Sequence, residues 1–120
     1  MKKIVALFLI ISLVLSCSKE DDNLSKVIEV RINLSNTLDY QYSIGGNYKE
    51  DDIIEITTQA SHYVVSELIV TENGYAFYTY KPQSGYLGAD YVEFTSEKII
   101  DSESNQTQTN TYKFSFNILE

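Results

Sequence analysis

Two stretches of this chain alternate, residue by residue, between apolar and polar side chains, and that period constrains the fold more than any other feature. Lys26 to Leu34 reads KVIEVRINL, with Ile28, Val30, Ile32 and Leu34 on one side and Glu29, Arg31 and Asn33 on the other. Thr111 to Leu119 reads TYKFSFNIL, where Tyr112, Phe114, Phe116 and Ile118 alternate with Lys113, Ser115 and Asn117. Successive side chains of a strand point to opposite faces, so each stretch is a strand with one dry face and one wet face.

The same grammar fills the interval. Further strands are expected at Asp39 to Ile44, Asp52 to Thr58, Tyr63 to Thr71, Tyr75 to Lys81 and Asp90 to Ile100. Gly45-Gly46 ends the first of these, and Pro82 to Gly88 separates the last two. Asn73-Gly74 lies between two apolar runs and predicts a two-residue hairpin of type I′, a turn that needs positive φ at both central residues. No window carries a helical stripe of useful length. Seven short strands punctuated by turn signals predict an all-β, antiparallel sandwich over residues 26–120, whose two sheets bury their apolar faces against each other.

One stretch sharpens that expectation. Phe77 to Phe94 reads FYTYKPQSGYLGADYVEF. It resembles a stretch of bacterial Ig-like and cadherin-like repeats: tyrosine, any residue, proline, a glycine-aromatic pair, a second glycine, an aspartate and an aromatic strand. The likeness extends over residues 75–119 and implies an Ig-like β-sandwich. It departs from the usual pattern at Asp90-Tyr91-Val92, where serine and phenylalanine commonly follow the aspartate. The same residues have a physical reading of their own. Pro82 cannot donate to a ladder and ends its strand, Gly85 and Gly88 permit backbone angles closed to other residues, and Asp90 can cap a loop by accepting backbone hydrogen bonds.

The first sixteen residues follow a different logic. Lys2 and Lys3 form a charged start, Ile4 to Leu15 is apolar except for Ser12, and Ser16 precedes Cys17. This is the layout of a secretory signal peptide over residues 1–16. Twelve residues of helix rise only about 18 Å, too short for a hydrocarbon core of about 30 Å. Val14-Leu15-Ser16-Cys17 resembles the lipobox of bacterial lipoproteins. The resemblance implies a diacylglycerol thioether on Cys17, cleavage before it, and acylation of the new amino terminus. Cys17 is the only cysteine, so it has no intrachain disulfide partner and lipidation gives it a purpose. Two or more acyl chains hold a protein firmly on a membrane that it does not span.

Residues 17–25 then form a short charged tether. Ser18-Lys19-Glu20-Asp21-Asp22 is similar to the lysine-plus-acidic signal of surface-exported lipoproteins of the Bacteroidota group. It implies an outer-membrane protein exposed at the cell surface, with the periplasmic face as the alternative. The full chain carries nine Lys and Arg against seventeen Asp and Glu, and losing Lys2 and Lys3 takes its net charge from −8 to −10. Such a surface repels phosphate backbones, which argues against nucleic acid as a partner.

Catalytic signals are weak. His62 is the only histidine, and no serine sits in a Gly-x-Ser-x-Gly elbow, so a nucleophilic triad has no context. Glu50, Asp51 and Asp52 are the densest acid cluster. An acid-base pair there is one alternative, and calcium is another if Asp90 converges on them. The ten tyrosines are expected to fill the core and edge for the most part, with a subset outside as a protein- or glycan-contacting patch. Tyr40 with Tyr42, and Tyr78 with Tyr80, each share a strand face. The expectation is a non-enzymatic, lipid-anchored module for binding, adhesion or envelope assembly, without a cofactor. A glycan-binding accessory lipoprotein of an outer-membrane uptake system is the alternative.

Overall fold

The computed structural model describes residues 24–120. The expected signal peptide 1–16, the expected lipid site Cys17 and the residues expected to form an export signal, Lys19, Glu20, Asp21 and Asp22, lie outside the described residues. Seven strands follow in chain order: β1 Leu24–Ser35, β2 Tyr40–Gly45, β3 Ile53–Thr58, β4 Tyr63–Val70, β5 Ala76–Pro82, β6 Gly88–Asp101 and β7 Gln106–Leu119. They form a four-stranded sheet in the order β1-β7-β6-β3 and a three-stranded sheet in the order β2-β5-β4. Lettered A to G along the chain, the sheets are A-G-F-C and B-E-D. This is the Ig arrangement with its first strand moved from beside B to beside G.

That move makes one ladder differ from the all-antiparallel expectation. β1 runs parallel to β7 through twelve consecutive pairs, from Leu24↔Gln108 to Ser35↔Leu119. The other four ladders are antiparallel. Alternation gives a strand its faces but says nothing about the direction of its neighbour. The pairing also draws Leu24 and Ser25, placed in the tether by the sequence reading, into β1.

The expected faces are the observed ones. Along β7, Tyr112, Phe114, Phe116 and Ile118 are buried, whereas Ser115 and Asn117 are exposed. The core is a stack of rings from the two sheets. Tyr80 of β5 stacks on Phe116 at 4.0 Å, Tyr78 stacks on Phe94 at 4.9 Å, and Tyr42 of β2 meets Phe114 edge-on at 4.8 Å. Such pairs each contribute about 0.5–1.5 kcal/mol beyond their buried area. Among the described residues, every buried side-chain nitrogen and oxygen has a hydrogen-bond partner.

The β4–β5 hairpin corrects the predicted turn. Only Gly74 has positive φ, at 85°; Asn73 does not. Gly74 N–H donates to Thr71 O (2.9 Å) and Thr71 N–H to Tyr75 O (2.8 Å). The connection is therefore a three-residue loop, Glu72-Asn73-Gly74, closed by a left-handed glycine. A contact distant in sequence accounts for this geometry. Gly74 O accepts from Tyr48 N–H at 2.9 Å, and a β-carbon at Gly74 would sit 2.8 Å from Tyr48 O.

Candidate functional site

Two groups of polar side chains lie at opposite ends of β6. At its start, the buried Asp90 carboxylate accepts from Ser61 N–H (2.8 Å), His62 N–H (2.9 Å), its neighbour Tyr91 N–H (2.9 Å) and the Tyr80 hydroxyl (2.7 Å). Asp90 thus caps the β3–β4 loop rather than its own. Burial by itself raises this carboxyl, but the hydrogen bonds from Ser61, Tyr80, His62 and Tyr91 outweigh it and hold Asp90 below its ordinary value. The Tyr80 phenol is driven far up, first by burial and then by its bond to Asp90. A carboxylate with four donors and a phenol locked as a donor form a structural clasp.

At the other end of β6, Asp52 accepts from Lys49 N–H (2.8 Å) and from Ile99 N–H (3.0 Å). Ile99 lies nine positions along β6 from Asp90, about 30 Å at ~3.3 Å per residue. Glu50, Asp51, Asp52 and Asp90 therefore do not converge, and the calcium arrangement that would unite them is not formed. Among the described residues, no three His, Cys, Asp or Glu side chains group as metal ligands.

The tyrosines divide between core and surface. Tyr78, Tyr80 and Tyr112 are buried, while Tyr40 and Tyr42 pack against the core from β2. Tyr75 and Tyr91 are exposed, at 53% and 37%. His62 is half-buried, with its ring stacked on Tyr86 at 4.0 Å.

Tyr91 lies on the outer face of the four-stranded sheet, and the register of three strands places its neighbours. Arg31, Ser115 and Tyr91 form one row across β1, β7 and β6. Toward the carboxyl end of β7 the next row is Asn33, Asn117 and Ala89; on the other side it is Glu29, Lys113 and Glu93. Asn117 Nδ2 donates to Asn33 Oδ1 at 3.3 Å, and the Tyr91 hydroxyl donates to Glu93 Oε1 at 2.8 Å. Burial, that bond and the charges of Glu93 and Glu29 raise the Tyr91 phenol, which stays protonated as a donor.

A small serine between two long side chains makes a depression. Ser115 lines three adjoining shallow cavities of about 320, 160 and 250 Å³. Tyr91 lines the first two and Arg31 the last two, with His62 and Ser61 at the outer corner of the largest. The sequence placed Arg31, Asn33, Ser115 and Asn117 on wet faces but did not single them out. Their signal lies in the register, which brings residues 31, 91 and 115 into one row.

No known protein-family model matches the sequence, and no curated protein matches it. Among solved structures, the chain is similar to an endo-fucoidan hydrolase of glycoside hydrolase family 107, with TM-score 0.46 and 12% identity over 78% of this chain and 12% of that one. It is similar to the EC1-3 structure of mouse clustered PcdhgC3, with TM-score 0.43 and 12% identity over 76% of this chain and 31% of that one. The cysteine protease inhibitor EhICP2 from Entamoeba histolytica aligns with TM-score 0.44 and 10% identity, over 83% of this chain and 100% of its own. These likenesses are too distant to carry a site or an activity. Strand order and register define the fold: an all-β, Ig-like sandwich of seven strands.

Proposed function

We propose that this chain is a lipid-anchored cell-surface module that binds a partner through the outer face of its four-stranded sheet and performs no catalysis. The observation that carries the reading is the Arg31–Ser115–Tyr91 row, a set of unlike side chains around a depression on a face that no described element covers. The most elaborate polar cluster, around Asp90, ties the β3–β4 loop and β5 to β6, with the carboxylate held by four donors as a structural clasp.

Anchoring on Cys17 suits this arrangement. Leu24 is seven positions after Cys17, a reach of at most about 25 Å. Leu24 pairs with Gln108 beside the β6–β7 turn, so that end of the sandwich faces the membrane. Arg31 stands seven residues further along β1, about 23 Å higher. The binding face is thus lifted clear of the headgroups, and the acidic mature chain is not drawn down onto an anionic bilayer. Replacing Cys17 tests the anchor. The Cys17→Ala chain should lose metabolic labelling with palmitate and leave the membrane fraction; labelling that persists in the mutant overturns the lipoprotein reading.

A further inference from the structure

The depression at Ser115 has the chemistry of a sugar site, and we infer that it binds a neutral glycan, with Tyr91 as its stacking platform and Arg31, Asn33 and Asn117 as its hydrogen-bonding wall. This assignment rests on the binding-face reading above and adds the class of ligand.

The geometry comes first. Arg31 and Tyr91 flank Ser115 on the two adjacent strands, so their backbones stand about 10 Å apart at ~4.8 Å per strand. The floor between them is a serine side chain. A flat ring with hydroxyls around its edge can lie in such a slot, its apolar face against the phenol and its edge toward the guanidinium. The Tyr91 hydroxyl is tied to Glu93 at 2.8 Å, which fixes the ring and reduces the entropy lost on binding.

The wall supplies complementary donors and acceptors. The Asn33–Asn117 pair forms one side-chain hydrogen bond at 3.3 Å. Whichever way the two amides are oriented, one NH₂ group and one carbonyl remain for a ligand. A donor beside an acceptor matches neighbouring sugar hydroxyls, each of which both donates and accepts. Arg31 adds donors in a fixed plane, and Ser115 adds a hydroxyl that can turn either way.

Charge selects the kind of glycan. Glu29 and Glu93 balance Arg31 and Lys113 within these rows, and the whole chain is strongly acidic. A sulfated or uronate polymer therefore meets no net attraction and a repulsive long-range field. A protein partner fits the centre poorly. Tyr and Arg do anchor protein interfaces, but in well-packed, desolvated centres, and here Tyr91 and Arg31 flank an open depression floored by Ser115.

The test uses the full-length lipidated protein in a detergent without sugar groups, applied to a printed array of neutral glucans, mannans and galactans beside sulfated glycans. Binding confined to neutral glycans is expected. On the best of them, Tyr91→Ala and Arg31→Met should each weaken binding at least tenfold, while Tyr75→Ala, an exposed tyrosine outside this face, should leave it unchanged. The inference is overturned if no neutral glycan is bound by protein that still partitions with membranes through Cys17, or if Tyr91→Ala does not alter binding. Preference for the sulfated glycans overturns it as well. The first result leaves the anchored-module reading standing, whereas loss of anchoring is read separately by palmitate labelling.

Discussion

Asp90 shows how one side chain can organise an end of the sandwich. Its four hydrogen bonds reach β3–β4, β5 and its own strand, so they tie both sheets at that end. Asp90→Asn keeps the shape but places an NH₂ group against donors, and should cost about 2–3 kcal/mol in urea unfolding at neutral pH. The pH dependence has a definite sign. Because the folded carboxyl is held below its unfolded value of about 3.9, its contribution is complete above that pH. It is lost as the pH falls through the folded value. The stability gap between wild type and Asp90→Asn should therefore narrow below about pH 4. A gap that stays constant down to acid unfolding contradicts an ionised Asp90 in the folded state. From sequence, Asp90 was legible as a capping residue but not the loop it caps, because Ser61 and His62 are about thirty positions away in the chain and become neighbours only through folding.

At the scale of strands, the alternation of β7 makes the sharpest prediction. Phe116 is buried between Tyr80 and Tyr40, so Phe116→Ala should leave a cavity and cost about 3–5 kcal/mol. Asn117, one residue on, faces solvent, and Asn117→Ala should change stability by no more than about 0.5 kcal/mol. Urea melts of the two mutants check this, and equal losses would mean that β7 is out of the observed register. The faces of β1 and β7 were fully legible, since a period of two needs no knowledge of neighbours. Their parallel pairing was not, because pairing direction depends on the path of the whole chain. The turn at Asn73-Gly74 failed for the same reason: docking against Tyr48, 26 positions earlier in the sequence, selects the three-residue loop. The candidate face falls between these cases. Each of its residues was visibly on a wet side, yet the row Arg31–Ser115–Tyr91 exists only in the register of three strands.

At the scale of the molecule, the proposed membrane anchor lies at one end of the sandwich and the proposed binding face is held away from the bilayer. The single cysteine of the chain allows both parts to be read in one measurement. A membrane-impermeant maleimide is applied to intact cells carrying either the wild-type chain or Ser115→Cys. A Cys17 whose sulfur carries a diacylglycerol thioether has no free thiol, and Ser115 is exposed at the centre of the proposed face. The account predicts no labelling of the wild type and ready labelling of Ser115→Cys before lysis. Labelling of the wild type, or labelling of Ser115→Cys only after the cells are broken, would contradict it.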